Sequence, residues 1–145
     1  MADEAKCGWQ GLGITALRMI VGVVFAAHGY QKLSVYHFAG VAGMFKGIGI
    51  PLPEVSAVVV TLVELLGGLA LFAGFLTRWA AILLAINMAV AVLAVHLKGG
   101  FFLPAGFEYA LTLLVASVAL VLAGPGVCAF DNVISKKATG APPAA

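Results

Sequence analysis

Seven side chains stand out in a chain that carries few polar groups: Arg18, His28, Lys32, Glu64, His96, Glu108 and Tyr109. Together they supply two fixed cations, two carboxylates, two imidazoles and a phenol. Such a set can donate hydrogen bonds to carbonyl oxygens and relay protons. Each lies within or at the end of an apolar stretch, where an ionised group is tolerated only when it is paired or lines a cavity. That placement makes them the candidate binding residues of an intramembrane polar site.

The elements that must position them follow from composition. Of 145 residues, 63% are hydrophobic and 10% charged, and the mean hydropathy is +1.11, well outside the range of soluble domains. Four apolar runs, residues 11–33, 55–75, 79–97 and 107–122, are read as crossings of a hydrocarbon layer of ~30 Å at ~1.5 Å per residue. The expected fold is all-α, an integral membrane antiparallel four-helix bundle with a short interfacial or re-entrant segment between helices 1 and 2. Residues 1–10 form an N-terminal segment, 11–131 the transmembrane domain, and 132–145 a partly disordered tail. The first run reads as an uncleaved span, because Asp3 and Glu4 outnumber Lys6 before it and it exceeds the ~7–15 residues of a cleavable core. An even span number puts both termini on one side. Lys6, Arg78, Lys136 and Lys137 fall there, against Lys32, Lys46 and Lys98 across the membrane, so the positive-inside rule favours cytoplasmic termini. A net charge of +2 without a basic patch points away from nucleic acid.

Turn residues mark the joints. Gly74-Phe75-Leu76-Thr77-Arg78 holds a helix end, a turn and Thr77 as an N-cap, so the helices it joins are neighbours. Pro51-Leu52-Pro53-Glu54 suits a helix start, and Gly124-Pro125-Gly126 suits a stop. The long connection, 34–50, mixes Tyr36, His37, Phe38, Met44 and Phe45 with four glycines. This suits an aromatic interfacial anchor or a segment folding over a cavity.

Helical arithmetic groups the polar residues. At ~100° per residue, Arg18, His28 and Lys32 share a sector of about 80° with Gly22 and Gly29. Glu64 shares a face with Gly67 and Gly68, small residues that let helices approach. Counted from the terminal side, Arg18 lies about 10 Å deep and Glu64 about 16 Å deep, so a buried Arg18–Glu64 ion pair is expected, with Asn87 at that level. A second layer near the opposite surface gathers His28, Lys32, His96, Glu108, Tyr109 and Glu54. Asn87 and His96, nine residues apart, fall on opposite sides of a straight helix. Structural roles compete with functional ones: an Arg–Glu pair can fix helix register, Lys32 can snorkel to headgroups, and Glu108 can stabilise a helix N-terminus.

Several chemistries lack their motifs. Cys7 and Cys128 stand alone, without CxxC, and both fall on the side read as cytoplasmic, where a structural disulfide is not expected. No phosphate-binding loop and no metal-ligand spacing occurs, so no metal site is assigned. His28 and His96 near one surface could bracket a haem, but two lone histidines are weak grounds and haem is not expected.

The order of motifs resembles the DoxX family of small four-helix bacterial and archaeal membrane proteins. The resemblance runs from about Ile14 to Asp131. It comprises Leu17-Arg18, His28-Gly29-Tyr30-Gln31-Lys32-Leu33, Gly49-Ile50-Pro51-Leu52-Pro53 and Glu64-Leu65-Leu66-Gly67-Gly68. Gly74-Phe75-Leu76-Thr77-Arg78, His96, Gly106-Phe107-Glu108-Tyr109 and Gly124-Pro125-Gly126 with Asp131 complete it. Where members often carry serine two residues before the final aspartate, this chain has Ala129, which removes a local capping hydroxyl. The family takes its name from a small subunit of an archaeal thiosulfate:quinone oxidoreductase, and other members have been linked to oxidative-stress complexes. The resemblance therefore implies a membrane subunit or accessory protein of a quinone-linked redox complex in a cytoplasmic membrane. It also implies quinone as the bound cofactor, with the lipid bilayer and other protein subunits as partners. A chain with no redox centre of its own reads as a subunit of an oxidoreductase complex rather than an enzyme alone. The competing reading is a non-catalytic structural subunit that docks onto and stabilises a larger membrane complex. A small transporter is less favoured, because inverted repeats are lacking.

Overall fold

The computed structural model describes residues 8–139, with side chains to Ser135. Asp3, Glu4, Lys6 and Cys7, the Lys136 and Lys137 side chains, and the tail from residue 140 lie outside the described part, so the expectations resting on them stay at the level of sequence. Among the described residues every regular element is helical. The main helices are α1 (Trp9–Gln31), α2 (His37–Gly47), α3 (Pro53–Ala73), α4 (Thr77–Val90), α5 (Glu108–Ala123) and α6 (Phe130–Thr139).

Two π-helical segments extend these elements. Lys32–Tyr36 carries α1 directly into α2, and Ala91–His96 carries α4 on to a 3-10 turn at Leu97–Gly99. The helical runs Trp9–Gly47, Pro53–Ala73 and Thr77–Gly99 are each long and apolar enough to cross a membrane, and Glu108–Ala123 is a shorter apolar helix. The segment expected to lie between the first two spans is thus a helical continuation of the first. Its direction changes at His37, whose φ of 54° leaves the helical region. Helix α6 carries Phe130–Thr139 into the segment read as the C-terminal tail.

The joints follow local chemistry. Pro53 sits at the start of α3 with Glu54 in its first turn, where the missing N–H is harmless and the carboxylate meets the positive end of the dipole. Gly74 ends α3 at φ 72°, and its N–H and that of Phe75 bond back to the carbonyls of Leu71 and Ala70. Thr77 does not cap α4. Its hydroxyl is buried without a hydrogen-bond partner, and the cap comes from far along the chain. The Asp131 carboxylate accepts from Leu76 N at 2.7 Å and Thr77 N at 2.9 Å, while Asp131 N donates to Gly74 O at 2.9 Å. A carboxylate at a helix N-terminus satisfies orphan donors and complements the dipole at once.

Packing places α1 on α3, α3 on α4, α4 on α5 and α5 on α1, with α2 lying against α3. Val21, Phe25, Leu71, Leu84, Leu113 and Leu120 form the main core, and Val41, Ala42, Phe45 and Ala57 a smaller one between α2 and α3. The α1–α3 approach is close because glycines meet main chain. A Cβ on Gly22 would fall 2.6 Å from Phe72 N and 2.7 Å from Gly68 O, so no side chain fits there. Gly29 faces Leu65 in the same way. These contacts set the register: Arg18 lies level with the end of α3, and Lys32 level with its middle.

Candidate functional site

That register separates the two cation positions of α1. The expected Arg18–Glu64 pair does not form. Arg18, 1% exposed, directs its guanidinium to main-chain carbonyls instead. Nη1 donates to Leu71 O at 2.8 Å and Phe72 O at 3.2 Å, and Nη2 to Cys128 O at 2.5 Å. The carbonyls of the last turn of α3 lack intrahelical partners and carry the negative end of the helix dipole, so a planar multidentate cation is well matched to them. Depth counted along separate helices missed this, because the glycine contacts slide α1 toward the end of α3.

Glu64, buried in the middle of α3, pairs with Lys32 instead. Its second oxygen accepts from Asn87 Nδ2 at 2.9 Å. Both carboxylate oxygens are therefore satisfied, and the charge is compensated by a lysine whose side chain is 21% exposed. Lys32 reaches inward rather than snorkelling outward, because the uncompensated Glu64 charge would be costly in a low-dielectric interior. Three elements meet in this cluster: the start of the first π segment, α3 and α4.

The cluster forms the floor of a cavity of about 730 Å³. His28, Lys32, Glu64, His96 and Tyr109 line it, together with Asn87 and Gln31. His28 Nε2 and the Tyr109 hydroxyl are 3.4 Å apart, and their rings are tilted with centroids 5.9 Å apart. Apolar walls come from Phe25, Val55, Val59, Val60 and Val95, and from Tyr36, Met44 and Phe45 at the α2 side. The connection 34–50 thus supplies part of the wall. Few polar groups converging in a mostly apolar concavity is the usual make-up of a small-molecule site.

Two of the seven candidates lie elsewhere. Arg18 belongs to the helix-end cap, and Glu108, at the start of α5, turns back to the preceding loop, where its Oε1 accepts from Leu103 N at 2.8 Å. Glu54 is also absent from the cavity lining. Asn87 is a site residue left out of the sequence-based set, although an amide in mid-span was its visible signal. Asn87 and His96 both face the cavity because the Ala91–His96 segment is π-helical. Its hydrogen bonds close over i→i+5, so the chain turns less per residue than an α-helix and His96 swings back to the Asn87 side. Among the described residues no cluster of His, Cys, Asp and Glu is arranged to hold a metal ion.

Apolar membrane-length helices around a mostly apolar cavity define an all-helical integral membrane protein. Sequence comparison gives the family: the DoxX profile matches residues 13–97, and the chain belongs to the DoxX family. It is 36% identical over 126 residues to "Putative oxidoreductase CatD" of Bacillus subtilis, covering 86% of this chain and 89% of that protein. "Uncharacterized membrane protein Rv3486" of Mycobacterium tuberculosis is 34% identical over 137 residues, covering 87% and 83% of the two chains. "Inner membrane protein YqjF" of Escherichia coli is 29% identical over 134 residues, covering 88% and 96%. No solved structure matches.

Proposed function

We propose that this protein is a membrane subunit or accessory protein of a quinone-linked redox complex, and that its cavity holds the quinone headgroup. The observation that carries the reading is the cavity itself, with apolar walls and a floor of Lys32, Glu64 and Asn87. The residues fit the group. Lys32 and the His28–Tyr109 pair supply donors for carbonyl oxygens, and the valine and aromatic walls suit a ring. When bound, a quinone supplies reversible uptake of two electrons and two protons. Glu64 and His28 would hold and release protons at the oxygens, and Lys32 would offset negative charge beside them. The name given to the Bacillus subtilis relative is in keeping with an oxidoreductase setting, and electrons would come from a partner subunit.

The antiparallel four-helix bundle belongs to this reading. The closed order of packing among α1, α3, α4 and α5 supports it, as does the opposition of Gly22 to Phe72 and of Gly29 to Leu65. In this arrangement both ends of the chain lie on the cytoplasmic face of a bacterial or archaeal membrane.

Gently purified protein is expected to contain extractable quinone, measured by chromatography and mass spectrometry. Glu64→Gln, which removes the anchor of Lys32, should lower the content about tenfold. Absence of quinone from every wild-type preparation would sink the proposal. The Lys32–Glu64–Asn87 cluster also favours the competing reading, a structural subunit, because it ties three elements together. In that case Glu64→Gln lowers assembly with partners while turnover per assembled complex stays unchanged.

A further inference from the structure

The cavity has a side as well as a floor. Helices α3 and α4 touch closely on the terminal side of the Glu64–Asn87 hydrogen bond: a Cβ on Gly67 would meet the Leu84 side chain at 3.2 Å. Beyond that bond, toward the start of α3, the cavity lies between residues of the two. Val55, Val59 and Val60 on α3, and Val90, Ala91 and Val95 on α4 and its π extension, line it. Several of these wall residues are well exposed: Val55 is 58% exposed, Val59 52% and Val90 49%. All three lie on membrane-length apolar helical runs, so the surface they share with the exterior faces acyl chains rather than water.

We infer that the cavity opens sideways into the lipid between α3 and the π-helical extension of α4. Its ligand class is a membrane-dissolved amphiphile with one hydrogen-bond-accepting head and one long apolar tail. The head reaches Lys32, and the tail leaves between Val59 and Val90. The π segment contributes directly, since it turns His96 inward and leaves Val95 in the wall. Through this gap a water-soluble solute has no matching route, because a tail-sized apolar opening offers polar groups no partners. The inference rests on the quinone reading for the identity of the head, whereas the opening and the tail follow from the walls. A fatty acid has the same chemistry of acceptor head and single tail.

The test is photolabelling of the full chain in liposomes with three probes: an azidoquinone bearing a long prenyl tail, its tail-less analogue, and a photoreactive long-chain fatty acid. In Val59→Trp, and separately in Val90→Trp, labelling by the tailed quinone is expected to fall about tenfold, several times more than labelling by the tail-less analogue. Leu69→Trp, exposed on α3 and outside the cavity lining, should label as wild type with both quinones. Equal labelling by the tailed quinone in wild type and both valine variants would overturn the lateral opening and leave the quinone reading intact. Labelling by the fatty acid alone, lost in the same variants, would uphold the opening and overturn the quinone head. Labelling by none of the probes would overturn both.

Discussion

Arg18 illustrates how a single residue can be functional in appearance and architectural in fact. Its buried guanidinium closes the end of α3 and fastens the segment before α6 by donating to three carbonyls. Main-chain acceptors have no residue signature, so the sequence pointed to Glu64, the nearest carboxylate, while the true partners were invisible. Arg18→Ala should therefore lower stability by about 2 kcal/mol, seen as an earlier thermal unfolding transition in detergent. Arg18→Lys should restore little of it, because an ammonium cannot span three divergent carbonyls. Photolabelling of the cavity per folded molecule should be unchanged in both, since Arg18 does not line it. Lys32 and Glu64 show the converse. Both were legible as candidates, but their pairing depended on the α1–α3 register set by Gly22 and Gly29.

At the scale of elements, hydropathy and turn residues made most of the fold legible: the apolar runs, the proline at the start of α3, the glycine at its end, and the stop after α5. What escaped was non-local or depended on helix type. The cap of α4 comes from Asp131, more than fifty residues away, and no spacing rule links the two. Leu76 adopts φ 47° immediately before α4, a conformation unfavourable for a leucine, and the Asp131 bond to its N–H holds it there. Asp131→Ala should destabilise the fold by about 1–2 kcal/mol. Hydrogen exchange should rise first in the opening turn of α4, and Asp131→Asn should recover part of the protection through its remaining oxygen. Protection unchanged across residues 74–80 would show that the cap carries no weight. The π segments were equally hidden, since periodicity assumes one turn per 3.6 residues.

At the scale of the molecule, one end gathers structural ties and the other holds the cavity. Thr15 and Arg18 bind the 127–128 segment, and Asp131 binds the α3–α4 turn, so the beginning of α1 and α6 share an end. The cavity lies toward the other end, where α1 gives way to its π turn and α5 begins. In a Cys7→Ser background, a membrane-impermeant maleimide should label the exposed Cys128 in inverted vesicles and not in intact cells. Lys98→Cys should label with the opposite preference. Labelling of both from the same side would refute the four-span arrangement. The π turn of α4 has a consequence of a different kind. Whether His96 faces the cavity depends on how many residues precede it in that turn as much as on its own identity. A one-residue deletion around Ala91 could turn an unaltered histidine toward lipid, so a relative could keep every side chain of the site and still lose one of its walls through a change in chain length alone.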